Sequence, residues 1–201
     1  MIFRILEAVQ YNTHPVDAVA GGGPDPGHSL QLSELGGAVY PSLASCLNHS
    51  CDPATVRVCR GNRIAVLARR PLQPGQEVTD CYGLHYSGLG RAERRARLEK
   101  WFSFQCECEA CTAQFPLLAG LSDKISSAVL QKLQAALQQF QAALQAGHHQ
   151  QALDSSLAYL TKLSQLALPR PHKAWEAGSH ALSCSLWALY GSRLESETIT
   201  L

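Results

Sequence analysis

Asn48-His49-Ser50-Cys51-Asp52-Pro53 sets a carboxamide, an imidazole, a hydroxyl, a thiol and a carboxylate side by side and closes them with a proline. Burying so many polar groups is costly unless each finds a partner, so the word reads either as a ligand site or as a polar loop. Directly after it the signals become those of strands. Val56-Arg57-Val58-Cys59 and Ile64-Ala65-Val66-Leu67 flank Gly61-Asn62, a two-residue hairpin connection, and Pro74-Gly75 opens a third run from Gln76 to Cys81. A small antiparallel β region is predicted. A nucleophile pair made of His49 and Cys51 is not expected, because the two are read as pointing to opposite faces of an extended segment.

The eight cysteines are unevenly placed: Cys106, Cys108 and Cys111 fall within six positions, whereas Cys46, Cys51, Cys59, Cys81 and Cys184 are scattered. In a chain without a secretory signal, such a cluster reads as a metal site rather than a disulfide framework. Structural zinc takes about four ligands, so a fourth is needed from the remaining cysteines and histidines, and spacing alone does not choose among them. Cys46, Cys59, Cys81 and Cys184 sit among apolar neighbours and suit buried free thiols.

Further outward, 201 residues with 46% hydrophobic and 16% charged side chains suit a globular chain with a real core and exclude disorder or collagen-like sequence. A formal charge of +1 gives no global field toward nucleic acid or an anionic membrane. No apolar run reaches the roughly 18 residues needed to span a bilayer, so a soluble, intracellular protein is expected. Ile2 to Gln10 has the spacing of a short amphipathic helix that needs an upstream partner, and Gly21-Gly22-Gly23-Pro24-Asp25-Pro26-Gly27 reads as a surface loop without the context of a phosphate cradle. Gly88 to Phe102 reads as a helix with Glu93, Arg94, Arg95, Arg97, Glu99 and Lys100 outward and with Leu98 and Trp101 left to pack.

After Cys111 the chain turns helical. Leu130, Leu133, Leu137, Phe140 and Leu144 form one stripe that Gly147 ends. Leu153, Leu157, Leu160, Leu163 and Leu166 form a second stripe, and Leu182, Leu186 and Leu189 a third. A glycine turn between two amphipathic helices suits an antiparallel pair of the tetratricopeptide kind, too short for an independent solenoid and therefore expected to dock on the β region or to continue beyond this sequence. The α+β class follows.

Asn48 to Pro53, then Pro74-Gly75-Gln76-Glu77-Val78 leading to Cys81-Tyr82-Gly83, then Phe104-Gln105-Cys106-Glu107-Cys108-Glu109-Ala110-Cys111, resemble in order and spacing the SET-domain protein lysine methyltransferases. In detail the chain is similar to the SET-and-MYND-domain subfamily, especially its tetratricopeptide-containing member, through Tyr40-Pro41-Ser42, the Ala92 to Leu98 helix and the helical tail. The resemblance implies an irregular, mostly antiparallel SET domain over 1–102, a post-SET zinc knuckle over 103–114 and a tetratricopeptide-like tail over 122–201. It implies S-adenosyl-L-methionine and Zn2+ as cofactors and methyl transfer to lysine side chains of histone or non-histone proteins. Chromatin regulators are implied as partners, with no direct nucleic-acid or membrane role, and residence in nucleus and cytoplasm.

By the same resemblance Asn48 and His49 hold the cofactor and Phe104 packs on its adenine. Tyr82 is the catalytic tyrosine where the methyl passes, and Phe102 lines the lysine channel on the same side as Phe104 if the chain is extended there. Asn12 is a further cofactor contact, although Tyr11 stands where the family has cysteine. Cys51 joins Cys106, Cys108 and Cys111 on the metal. Ala54 replaces the asparagine that usually follows Pro53. The glycine-containing cofactor loop and the MYND finger do not occur, so the chain is expected to be a fragment or splice product of a larger methyltransferase, and alternatively an inert, zinc-stabilised interaction module.

Overall fold

The computed structural model describes residues 13–19, 32–39, 43–60, 63–166 and 168–196. Asn12, the expected helix over Ile2 to Gln10 and the Gly21 to Gly27 loop lie outside them. Strands β1 (Thr13–Val19) and β2 (Leu32–Val39) pair antiparallel, with an irregularity between Val16 and Asp17. Strands β4 (Thr55–Arg60) and β5 (Arg63–Ala68) form the predicted hairpin, with Arg60 opposite Arg63 across the two-residue connection.

The third run departs from expectation. Only Thr79–Asp80 (β6) is strand, and it pairs in parallel with Asn48–His49 (β3), so the architecture is not wholly antiparallel. Two-residue strands carry no periodicity to read, and a parallel partner about 30 residues away leaves no local turn signal.

Helix α1 (Arg91–Phe102) buries Leu98 as expected, but Arg94 is fully buried and Trp101 is 42% exposed, the reverse of the predicted faces. Trp101 instead lies beneath the Arg97 guanidinium, 5.6 Å from its ring centre. A one-turn helix α2 (Glu109–Thr112) follows, and its core with α1 gathers Leu84, Tyr86, Leu98, Ala110 and Phe115 around the cysteines.

The tail forms α3 (Ser127–Gln145), α4 (His149–Gln165) and α5 (Lys173–Ser196). Gly147, at φ +74°, makes the left-handed turn that ends α3, and His148 N–H caps the Ala143 carbonyl at 2.9 Å. The inward face of α4 is Ala152, Ser156 and Tyr159, each one position ahead of a stripe leucine, together with the stripe's own Leu163, while Leu157 and Leu166 are exposed. Small residues there admit close helix approach, and Leu153, Leu157 and Leu160 turn to a groove of about 500 Å³ shared with Trp175 and Leu182. Leu130 is likewise exposed, whereas Leu182, Leu186 and Leu189 are buried as expected.

The tail docks on the β region. Tyr86 Oη donates to Glu176 at 2.6 Å, and Arg170 reaches Asp52 at 3.5 Å. Among the described residues no helix is long and apolar enough to cross a membrane.

Candidate functional site

The parallel β3–β6 pair builds the site, because Asn48 stands opposite Thr79 and His49 opposite Asp80. Ser50 N–H extends the pairing to the Asp80 carbonyl at 2.8 Å, and Tyr86 N–H donates to the Cys51 carbonyl at 3.0 Å. The polar word therefore lies against Cys81-Tyr82-Gly83, whose glycine, at φ +83°, takes a turn that other residues rarely adopt. From the other side, Ser103 ends α1 in the left-handed conformation, at φ 58°. That turn swings Phe104 and the cysteines toward the same place. Phe102 and Phe104 thus border one pocket, but across a helix terminus rather than along an extended segment.

The four thiols of Cys51, Cys106, Cys108 and Cys111 come together with all sulfurs within 4.8 Å of one another. Cys51 Sγ lies 3.6 Å from Cys111 Sγ and 4.0 Å from Cys106 Sγ. Tetrahedral zinc with Zn–S bonds near 2.3 Å needs sulfurs ~3.8 Å apart, so the set fits such an ion with little movement. Hydrogen bonds from Cys106 and then Cys51 drive the Cys108 thiol far below its ordinary value, while Cys106 is pushed up to about 11, chiefly by its bond to Cys108. Hydrogen bonds with Cys106 and then Cys108 push the Cys51 thiol up, so the thiols share protons that a bound divalent cation would displace. Among the other four cysteines, Cys59 is buried, Cys81 and Cys184 are half-buried and, against expectation, Cys46 is exposed.

Beside the thiols opens a pocket of about 740 Å³ bordered by Asn48, His49, Glu77, Tyr82, Phe102 and Phe104. The Tyr82 ring centre lies 4.9 Å from Phe102 and 5.2 Å from His49, and Phe104 lies 6.1 Å from His49. Tyr82 Oη donates to the Leu47 carbonyl at 2.7 Å, which fixes the hydroxyl. Burial, and then the Asp80 carboxylate, raise the Tyr82 phenol above its ordinary value. It stays protonated at neutral pH. The Asn48 amide donates to Glu77 Oε1 at 2.7 Å at the exposed edge of the pocket.

His49 overturns one expectation. Its Nε2 sits 3.3 Å from Cys51 Sγ. Residues i and i+2 of an extended segment share a face, and these two do so here. Burial lowers the His49 pKa to about 4, so the ring is neutral near pH 7. The pairing makes no nucleophile, because Cys51 is committed to the thiol cluster.

Two further features escape sequence reading. Asp52, 4% exposed, is held by Arg69 and Arg70 at 2.8 Å each and by Arg170. Arg94 reaches Cys111 Sγ at 3.7 Å from within α1. The adjacent Arg69-Arg70 pair was a weak signal for a buried acid. An arginine in a charged helix gives none, since the usual outcome is solvent.

Residues 24–83 match the SET domain family. Over 116 residues the chain is 34% identical to protein-lysine N-methyltransferase SMYD4 of Mus musculus, covering 56% of this chain and 14% of that protein. It is 38% identical over 86 residues to histone-lysine N-methyltransferase SMYD3 of Homo sapiens, covering 43% of this chain and 19% of that one. To N-lysine methyltransferase SMYD2-B of Danio rerio it is 39% identical over 85 residues, covering 42% and 19%. The chain thus spans less than a fifth of the length of these curated relatives.

Proposed function

We propose that the chain is a SET-and-MYND family member and carries the lysine-channel side of an S-adenosylmethionine-dependent protein-lysine N-methyltransferase, a reading supported by the SET match over residues 24–83 and by the similarity to SMYD proteins. One observation carries the reading: the Tyr82 ring, its hydroxyl fixed on the Leu47 carbonyl, packs against both Phe102 and His49 in a pocket that adjoins the four-thiol cluster.

When bound, the cofactor supplies an electrophilic methyl group on a sulfonium. Transfer to a neutral amine is an in-line displacement, so the work of the protein is positioning. Asn48, His49 and Phe104 hold the cofactor. Phe102 and Tyr82 line the path of the lysine, where ring faces favour the cationic donor and exclude water from an amine that has shed its proton. Tyr82 acts through its oxygen and its position rather than as a base, in keeping with a raised pKa and a proton already directed to Leu47. Cys51, Cys106, Cys108 and Cys111 hold one Zn2+.

The segments 1–102, 103–114 and 122–201 remain the proposed SET, post-SET and tetratricopeptide-like parts. The substrates are lysine-bearing proteins, histone or non-histone, captured along the tail groove beside Leu157 and Trp175, with nucleus and cytoplasm as the sites of action. Labelled-methyl transfer to a histone mixture tests this reading. Tyr82→Phe is expected to keep most of the cofactor affinity and lose rate, whereas unchanged turnover would remove Tyr82 from the mechanism.

A further inference from the structure

Beyond the four sulfurs, two side chains direct N–H groups at them. Arg94 has no exposed surface and no carboxylate partner among the described residues. Its Nη1 donates to the Leu89 carbonyl, its Nη2 lies 3.5 Å from the Ala110 carbonyl and 3.7 Å from Cys111 Sγ, and its Nε finds no hydrogen-bond partner. A guanidinium buried without a counter-charge is strongly unfavourable, and the thiol cluster is the anionic group within its reach. Four thiolates around a divalent ion carry a net charge of −2. Arg94 offsets half of it.

His49 offers the second contact. Tyr82 N–H donates to His49 Nδ1 at 3.1 Å, so Nδ1 is the acceptor and the ring presents its N–H at Nε2, 3.3 Å from Cys51 Sγ. One imidazole thus joins a thiol of the cluster to the backbone of the pocket tyrosine, and its ring also faces those of Tyr82 and Phe104. With an ion in place, Cys51 Sγ is fixed at a corner of a tetrahedron and presents a charged acceptor. That geometry sets the ring plane, and the ring plane sets where the Tyr82 amide can dock.

We infer that Arg94 and His49 form the outer shell of the metal site, and that His49 couples metal occupancy to the position of Tyr82. This rests on the zinc and tyrosine assignments proposed above. Arg94 supplies charge and tunes affinity. His49 supplies both affinity and a mechanical link, through which loss of the ion loosens the lysine channel.

The full chain, loaded with zinc, tests both roles by two readouts: zinc affinity in competition with a chromophoric chelator, and hydrogen exchange of the Tyr82 amide with and without zinc. In the wild-type chain zinc is expected to slow Tyr82 exchange. His49→Phe keeps a ring but no nitrogen; it should weaken zinc binding about 10- to 100-fold and leave Tyr82 exchange fast and indifferent to zinc. Arg94→Met should weaken zinc by a similar factor yet regain Tyr82 protection once zinc saturates, and Arg94→Lys should recover much of the affinity. If Arg94→Met fails to fold, Arg94→Lys and the wild-type zinc response still decide. Wild-type zinc affinity in His49→Phe, or a Tyr82 amide that ignores zinc in the wild-type chain, overturns the coupling while leaving the zinc assignment intact. A wild-type chain that takes up no zinc overturns both.

Discussion

Asp52→Asn removes one charge and keeps the side-chain shape, so it isolates the electrostatic part of the junction between the polar word and the tail. The carboxylate is 4% exposed and sits between Arg69, 10% exposed, Arg70, 22% exposed, and Arg170, 29% exposed. Burial lowers the Arg69 pKa, and the Asp52 carboxylate is the largest influence opposing that shift, so the variant strands a buried guanidinium. Breaking a buried pair from one side costs about 3–5 kcal/mol. The more exposed Arg70 and Arg170 add little after screening, and Arg69 and Arg70 retain backbone acceptors at Pro53 and Asp52, which points to the lower end, roughly 3 kcal/mol. For a chain of this size that is a melting-temperature drop of about 6–12 °C, read by far-ultraviolet circular dichroism. The wild-type melt should change little with added salt, since the cluster is shielded from it. A drop of less than ~3 °C would show that this carboxylate does not hold the junction.

Three further outcomes follow from the same contacts. Cys51→Ser is expected to reduce zinc uptake from one ion per chain to weak, substoichiometric binding by atomic absorption, and full retention would exclude Cys51 from the ligand set. Gly178→Ala should destabilise, because the new Cβ would meet Leu160 Cδ2 at 2.6 Å and Tyr159 Cδ1 at 2.7 Å. Overpacking of ~1–3 kcal/mol then exceeds the ~1 kcal/mol gained in helix propensity, and an unchanged or raised melting temperature would contradict the close α4–α5 approach. His85, lowered to about 4 by burial and then by Arg69, stays neutral in the fold while the unfolded chain protonates near 6.5. Its stabilisation is therefore complete above pH 6.5 and is lost as pH falls toward 4, and His85→Gln should flatten that acid limb of the stability profile.

The β4–β5 hairpin was legible because Gly61-Asn62 and alternating β-branched residues are local signals, and α3 because its apolar spacing and Gly147 agree. The cysteine trio marked a candidate metal site on spacing alone. Cys51, 55 positions before Cys106, could be joined to it only by family resemblance, because folding rather than sequence distance brings them together. The β3–β6 pair stayed invisible, since two residues define no period. Arg94 and Leu157 exchanged their expected faces for a common reason. A helix side chain follows what the neighbouring element offers, a ring of thiols in one case and a groove in the other, and amphipathic counting knows nothing of either. His49 and Cys51 were misassigned by direction, although the two-residue period of an extended chain places them together.

Methyl transfer by this chain requires that the pocket between Asn48, Tyr82 and Phe104 bind the cofactor. Calorimetric titration of the zinc-loaded chain with S-adenosylmethionine is the direct measurement, with Asn48→Ala and Phe104→Ala as controls. The prediction is saturable one-to-one binding in the wild-type chain that both substitutions weaken. No binding heat in a folded, zinc-loaded chain, or affinity unmoved by both substitutions, would contradict it and leave the chain a zinc-stabilised interaction module.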